Sequence, residues 1–229
     1  MRAFRAVLFD AGDTLIRLSG GGEQLLDRAA AALGHDSLDP EDAARVWQRV
    51  LAQAGTPTEL AKGRDLSPAR HREVWTALYG DAGCDRLAPG LSEALYALTL
   101  DARSWEAFPD TLHTLRELRD LGVLIGIVSD TGFDLRPAFD ALGLTPFLDA
   151  VVLSFECGVC KPDPSVFLTA CQRLRVDPGD ALMVGDSPLT DAGAVTAGLC
   201  VLLLPRSVPF EPRGLRHVLS LVRAHNSGA

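Results

Sequence analysis

A doubly wound, parallel α/β sheet interrupted early by a helical unit is the fold class this sequence predicts. Three observations predict it. Short apolar runs recur along the chain without alternating polar and apolar residues, segments of helical period lie between them, and one long interval near the start carries helical pattern alone.

The apolar runs are Ala6–Phe9, Val123–Val128, Ala150–Leu153, Ala181–Val184 and Cys200–Leu204. A strand covered on both faces has no polar side to show, so continuous runs of this length read as strands of a parallel sheet. Between them, Thr111–Leu121 sets Leu112, Leu115 and Leu118 on one helical face, with Asp110 placed to cap its start and Gly122 its end. Pro164–Leu174 and Asp191–Ala197 read as further helices, with Asp163 as a helix N-cap. The alternation implies β-α-β units. From Leu18 to Arg103 the rhythm breaks, and amphipathic stretches follow one another at Glu23–Leu33, Pro40–Ala54, Pro68–Tyr79 and Gly90–Leu100. The expected organisation is therefore an α/β core of residues 1–17 and 104–229 with a helical domain of residues 18–103 inserted after the first strand. Asn226–Ala229 reads as a frayed tail.

Composition narrows the function classes. Apolar residues make up 47% of the 229 and charged residues 23%, which excludes a disordered chain, a collagen or a coiled-coil rod. The net charge of −8 argues against a non-specific grip on nucleic acid or an anionic membrane, and no apolar stretch is long enough to span a bilayer. The five cysteines have no framework spacing and read as free thiols in a reducing, cytoplasmic setting. Cys157 and Cys160 form a CxxC, but no second ligand pair accompanies it. Only two of the 22 basic residues are lysines, Lys62 and Lys161.

In an open parallel sheet, ligands bind at the carboxyl ends of the strands. Those ends carry Asp10-Ala11-Gly12-Asp13-Thr14, Ser129-Asp130-Thr131-Gly132, Lys161-Pro162-Asp163-Pro164 and Gly185-Asp186-Ser187 followed by Asp191. Converging carboxylates repel one another unless a cation joins them, and an all-oxygen set suits Mg²⁺.

The four motifs FDAGDTL, the Ser after VLIGIV, KPDPSVF and VGDSPLTD, in this order and each ending a strand, resemble those of the haloacid dehalogenase (HAD) superfamily of hydrolases. The helical insertion resembles the family's C1-type cap over a Rossmann-like core. The resemblance implies an enzyme, a Mg²⁺-dependent phosphatase of small phosphorylated metabolites that acts through an aspartyl-phosphate. Asp10 is then the nucleophile. Ser129, Asp130 and Lys161 bind the phosphoryl group. Asp10, Asp186 and the carbonyl of Gly12 hold the metal, and Asp191 is a further acidic partner or a helix cap.

The sequence departs from the family pattern at one position. Most of its phosphatases place a second Asp, the general acid–base, two residues after the nucleophile, where this chain has Gly12. Asp13 substitutes only if the loop is rearranged; otherwise turnover is slow. The gap keeps rival readings open: a metal-free dehalogenase, a phosphonatase using Lys62 of the cap, or a weakly active relative that binds ligands or another protein. On the cap, Trp47 and Trp75 read as core packing and Arg45, Arg49 and Arg72 as solvated, the alternative being that these and His71 recognise a substrate's anionic or aromatic part.

Overall fold

The computed structural model describes residues 3–205 and 212–228. Its centre is a five-stranded sheet of β1 (Ala6–Phe9), β4 (Leu124–Ser129), β5 (Ala150–Leu153), β6 (Ala181–Gly185) and β7 (Cys200–Leu203), in the order β5-β4-β1-β6-β7. Every pairing in it is parallel. Each apolar run of the sequence is a strand here. β7 alone departs from the expectation of burial on both faces: of the two edge strands, β5 is largely buried whereas β7 has Cys200 and Leu203 exposed.

The period of two along a strand divides the core into two layers. Val7, Phe9, Ile125, Ile127, Leu182 and Val184 point to one face, covered by α7 (Thr111–Asp120) and α11 (Arg216–Ser227) through Leu115, Leu118, Val218 and Val222. Ala6, Leu8, Val128 and Met183 point to the other, covered by Phe167, Ala170 and Leu174 of α10 (Pro164–Leu174). A Cβ on Gly126 would stand 2.7 Å from the Leu8 side chain and 3.2 Å from that of Leu174, so the absent side chain is what lets α10 lie close to the sheet.

Three details differ from the sequence expectation. Leu112 is exposed rather than inward, and Thr111 and Thr114 fill the inner face of α7. The Asp110 carboxylate does not cap α7; it accepts hydrogen bonds from the N–H groups of Arg213, Gly214 and Leu215 and so holds the approach to α11. The tail is not frayed at Asn226, whose amide exchanges hydrogen bonds of 2.7 and 3.0 Å with the backbone of Phe4, while His225 stacks on the Phe4 ring. Ala229 lies outside the described residues.

The inserted segment leaves and re-enters the core through a short antiparallel pair, β2 (Ile16–Leu18) against β3 (Trp105–Ala107). Between them α1 (Gly21–Ala32), α2 (Pro40–Ala54), α4 (Pro68–Ala82) and α6 (Leu91–Leu100) enclose a separate apolar cluster built on Leu25, Leu26, Val46, Leu78, Leu91 and Leu95. The short turns α3 (Pro57–Leu60) and α5 (Cys84–Leu87) complete the helical unit. Trp47 packs over Gly22, where a Cβ would overlap its indole. No helix among the described residues is long and apolar enough to cross a membrane.

Candidate active site

β1 delivers Asp10 to the carboxyl edge of the sheet, and the Asp10 N–H donates to the Val184 carbonyl at 2.9 Å, so the position is fixed by two central strands. The chain then turns sharply: the Ala11 carbonyl accepts from both Leu15 and Ile16. That turn brings the Thr14 hydroxyl back to Asp10 Oδ2 at 3.1 Å.

The other Asp10 oxygen, Oδ1, accepts from Lys161 Nζ at 2.6 Å. Lys161 Nζ also donates to Asp191 Oδ1 at 2.6 Å. The second Asp191 oxygen accepts from the backbone N–H of Asp186 and Ser187, at 3.0 and 2.9 Å. Asp191 thus ties the β6 loop to the lysine. Gly185 makes this possible, since a Cβ there would stand 2.1 Å from Asp191 Oδ2. Gly193 plays the same part for the lysine loop, where a Cβ would overlap Pro162.

Asp10, Asp186 and Asp191, all buried, each offer a carboxylate oxygen within 4.8 Å of the others. Three carboxylates against one ammonium leave the cluster over-rich in negative charge. Burial pushes the Asp10 carboxyl up to about 7; Lys161 opposes the shift, and Asp191 and Asp186 add to it. Burial works against the Lys161 charge, but Asp10, Asp191 and Asp130 outweigh it and hold the ammonium above its usual range. A hard divalent cation would relieve this excess, and the donor set fits one. Both Asp191 oxygens are engaged with Lys161 and backbone N–H groups, and both Asp10 oxygens with Lys161 and the Thr14 hydroxyl, so a cation here would share oxygens that already accept hydrogen bonds.

Ser129 ends β4 and is buried beside this cluster's edge of the sheet. Asp130 follows it, and its Oδ1 accepts from the Lys161 N–H at 2.9 Å, joining the second strand end to the third loop. Burial raises the Asp130 carboxyl to about 6, against the pull of Lys161. Gly12 lies within the tight turn, and a Cβ placed on it would meet nothing within 4 Å. Asp13 is exposed, in the left-handed region at φ 56°, with its N–H on the Ile16 carbonyl and its own carbonyl accepting from Arg213 Nε. Its side chain stands outside the buried carboxylate cluster.

A cavity of ≈ 280 Å³ separates the inserted unit from the core, with Leu60, Arg64 and Asp65 on one side and Asp130, Lys161 and Leu189 on the other. The two sides touch beside it. The Ser154 hydroxyl accepts from the Thr131 N–H at 2.9 Å and donates to the Asp65 carbonyl at 2.6 Å. A Cβ on Gly132 would overlap His71, so this glycine admits the buried imidazole. His71 Nδ1 is 3.0 Å from the Tyr96 hydroxyl, and Nε2 is 3.6 Å from Asp65 Oδ1. Thr14 and Ser154 stand at strand ends that the sequence marks, without a role assigned to either, whereas Asp65, in a cap loop, was not legible as a site residue. Lys62 pairs with Glu59 at 2.6 Å and does not line the cavity. Cys157 and Cys160 are free thiols. Asp163 caps α10 through the Ser165 N–H, as its spacing predicts.

Comparison with known proteins agrees with this geometry. The haloacid dehalogenase-like hydrolase profile matches residues 4–198. A glyceraldehyde 3-phosphate phosphatase of Methanopyrus kandleri is 31% identical over 91% of this chain and 88% of its own. An (S)-2-haloacid dehalogenase of a Pseudomonas species is 29% identical over 96% and 94%. Among solved structures, a HAD phosphatase from Thermococcus onnurineus superposes with a TM-score of 0.60 at 25% identity, covering 95% of this chain and 97% of that one. The β5-β4-β1-β6-β7 sheet, the helical cap after its first strand and the match along most of the sequence show that this chain belongs to the haloacid dehalogenase-like hydrolases.

Proposed function

We propose that this chain is a Mg²⁺-dependent phosphatase of small phosphorylated metabolites. The observation that carries the reading is the buried set of Asp10, Asp186 and Asp191 around a single ammonium, which is built for a cation and a phosphoryl group together. Residues 1–17 and 104–229 form the catalytic core in this reading, and residues 18–103 the cap.

Asp10 is the nucleophile. Its carboxylate attacks phosphorus in line with the leaving oxygen and forms an aspartyl-phosphate, which water then hydrolyses. Lys161 holds Asp10 in place and offsets charge on the phosphoryl oxygens. Ser129 donates to one of those oxygens, and Asp130 fixes the lysine loop against it. Asp10, Asp186 and the Gly12 carbonyl would hold Mg²⁺, which neutralises developing negative charge when bound. Asp191 orients Lys161 and the Asp186 loop. The cap closes the cavity against bulk water.

Excess charge in the cluster favours this chemistry over a metal-free dehalogenase, although Gly12 suits halide departure, which needs no proton. The test is phosphate release from a panel of phosphomonoesters with and without Mg²⁺, beside chloride release from 2-chloropropionate. Mg²⁺-dependent phosphate release supports the reading. Metal-independent chloride release with no phosphate release overturns it.

A further inference from the structure

An alkoxide leaving group needs a proton as its bond to phosphorus breaks, and two residues after Asp10, where the family's phosphatases carry a carboxyl, this chain has Gly12. The carboxylates Asp10, Asp186 and Asp191 are gathered on the nucleophile's side, and Asp130 is held with one oxygen on the Lys161 N–H. In-line displacement places the leaving oxygen opposite the nucleophile. Asp10 lies on the core floor, so the leaving oxygen points toward the cap.

The cap presents a carboxyl to the cavity that Lys161 and Asp130 also line. Asp65 lines the cavity across from Lys161 and Asp130, with its side chain 17% exposed. Its backbone is fastened to the core: the Asp65 carbonyl accepts from Ser154, whose hydroxyl is bound in turn to the Thr131 N–H, two residues past Ser129. The same short segment therefore registers Asp65 against the proposed phosphate-binding strand end.

We propose that Asp65 is the catalytic acid–base residue, supplied by the cap in place of a side chain at Gly12. In the first step the Asp10 carboxylate forms the new bond to phosphorus, the bond from phosphorus to the alkyl oxygen breaks, and the Asp65 carboxyl gives its proton to that oxygen, releasing the alcohol. In the second, the Asp65 carboxylate takes a proton from water as its oxygen attacks phosphorus. Phosphate leaves, and Asp10 ionised and Asp65 protonated are restored.

The surroundings suit a group that must hold a proton and lose it. Burial raises the Asp65 carboxyl, while Arg64, 3.5 Å away, and Lys161 pull it down. His71 faces it from α4 as a neutral imidazole held low, to about 4, by burial and by Arg64. Among the described residues, Asp130 and the Cys160 thiol are the other titratable groups that line the cavity beside Lys161.

This inference rests on the phosphatase reading. Its test compares single-turnover phosphorylation of Asp10 by 4-nitrophenyl phosphate, whose leaving group departs as a stable anion, and by glycerol phosphate, whose leaving group does not. Both rates are read on one preparation of wild type and of Asp65→Asn, so their ratio is independent of the folded fraction. Asp65→Asn is expected to slow glycerol phosphate by about 10²–10⁴-fold and the nitrophenyl ester far less. Adding Gly12→Asp is expected to restore glycerol phosphate, because position 12 has open space and no positive φ. Equal losses on both esters, or unchanged rates, overturn the Asp65 assignment. If neither ester phosphorylates wild-type Asp10, the phosphatase reading fails and this inference falls with it.

Discussion

Lys161 shows how much one residue can hold. Its ammonium reaches two carboxylates at 2.6 Å while its backbone N–H holds a third residue, Asp130. A compact charge on a flexible stem can sit between two carboxylates where a planar guanidinium would impose its own fork. In a chain whose basic residues are otherwise almost all arginines, that geometry accounts for a lysine here. His71 ties stability to pH. Burial, with Arg64 adding to it, depresses the imidazole from 6.5 to about 4, so the folded protein keeps it neutral where the unfolded chain protonates it. Between those values the unfolded state binds more protons, and stability falls as pH drops. The window is worth up to about 3 kcal/mol at its lower end. Urea unfolding of wild type and His71→Asn between pH 6.5 and 4 is expected to show that extra loss in wild type only; parallel curves would contradict it.

At the scale of elements, legibility followed burial. The five apolar runs could be read as strands because four of them have no solvent-facing side, and even the edge strand β7 kept an apolar run. β2 and β3 escaped notice for the opposite reason: each has three residues, most of them half-buried, and Arg17 pairs with Glu106 across the ribbon. Long cap helices were legible from their period, and α2 runs over Pro40–Ala54 as expected. Asp191–Ala197 is a 3₁₀ rather than an α-helix, because Asp191 is held by the β6 loop and the lysine. Motif residues were legible as strand-end chemistry, but Asp65 was not, since it gains its place only when the cap folds back over Ser154. The same long-range logic governs α11. Asp110 accepts three backbone N–H groups at its entry, and removing a charged acceptor leaves these donors to find water. Asp110→Ala is expected to cost about 1–3 kcal/mol in urea unfolding. A change within a few tenths of a kcal/mol would show that water replaces the carboxylate without penalty.

For the whole molecule, the sheet and the cap divide the work. The parallel sheet brings four distant segments of sequence to one edge, which is why the charges of residues 10, 130, 161, 186 and 191 meet although they are far apart in the chain. The cap contributes its own core and a roof for the cavity, joined to the sheet through β2, β3 and the contacts of Ser154 and Gly132. What the fold concentrates at that edge is negative charge around one lysine, the setting proposed above for transfer of a phosphoryl group to Asp10. The most direct measurement is to quench the protein during turnover of a phosphomonoester with Mg²⁺ and map the covalent phosphate by mass spectrometry. Phosphate is expected on Asp10, absent without Mg²⁺ and absent in Asp186→Asn. Phosphate released at full rate by Asp10→Asn, or a covalent phosphate on some other residue, would contradict it.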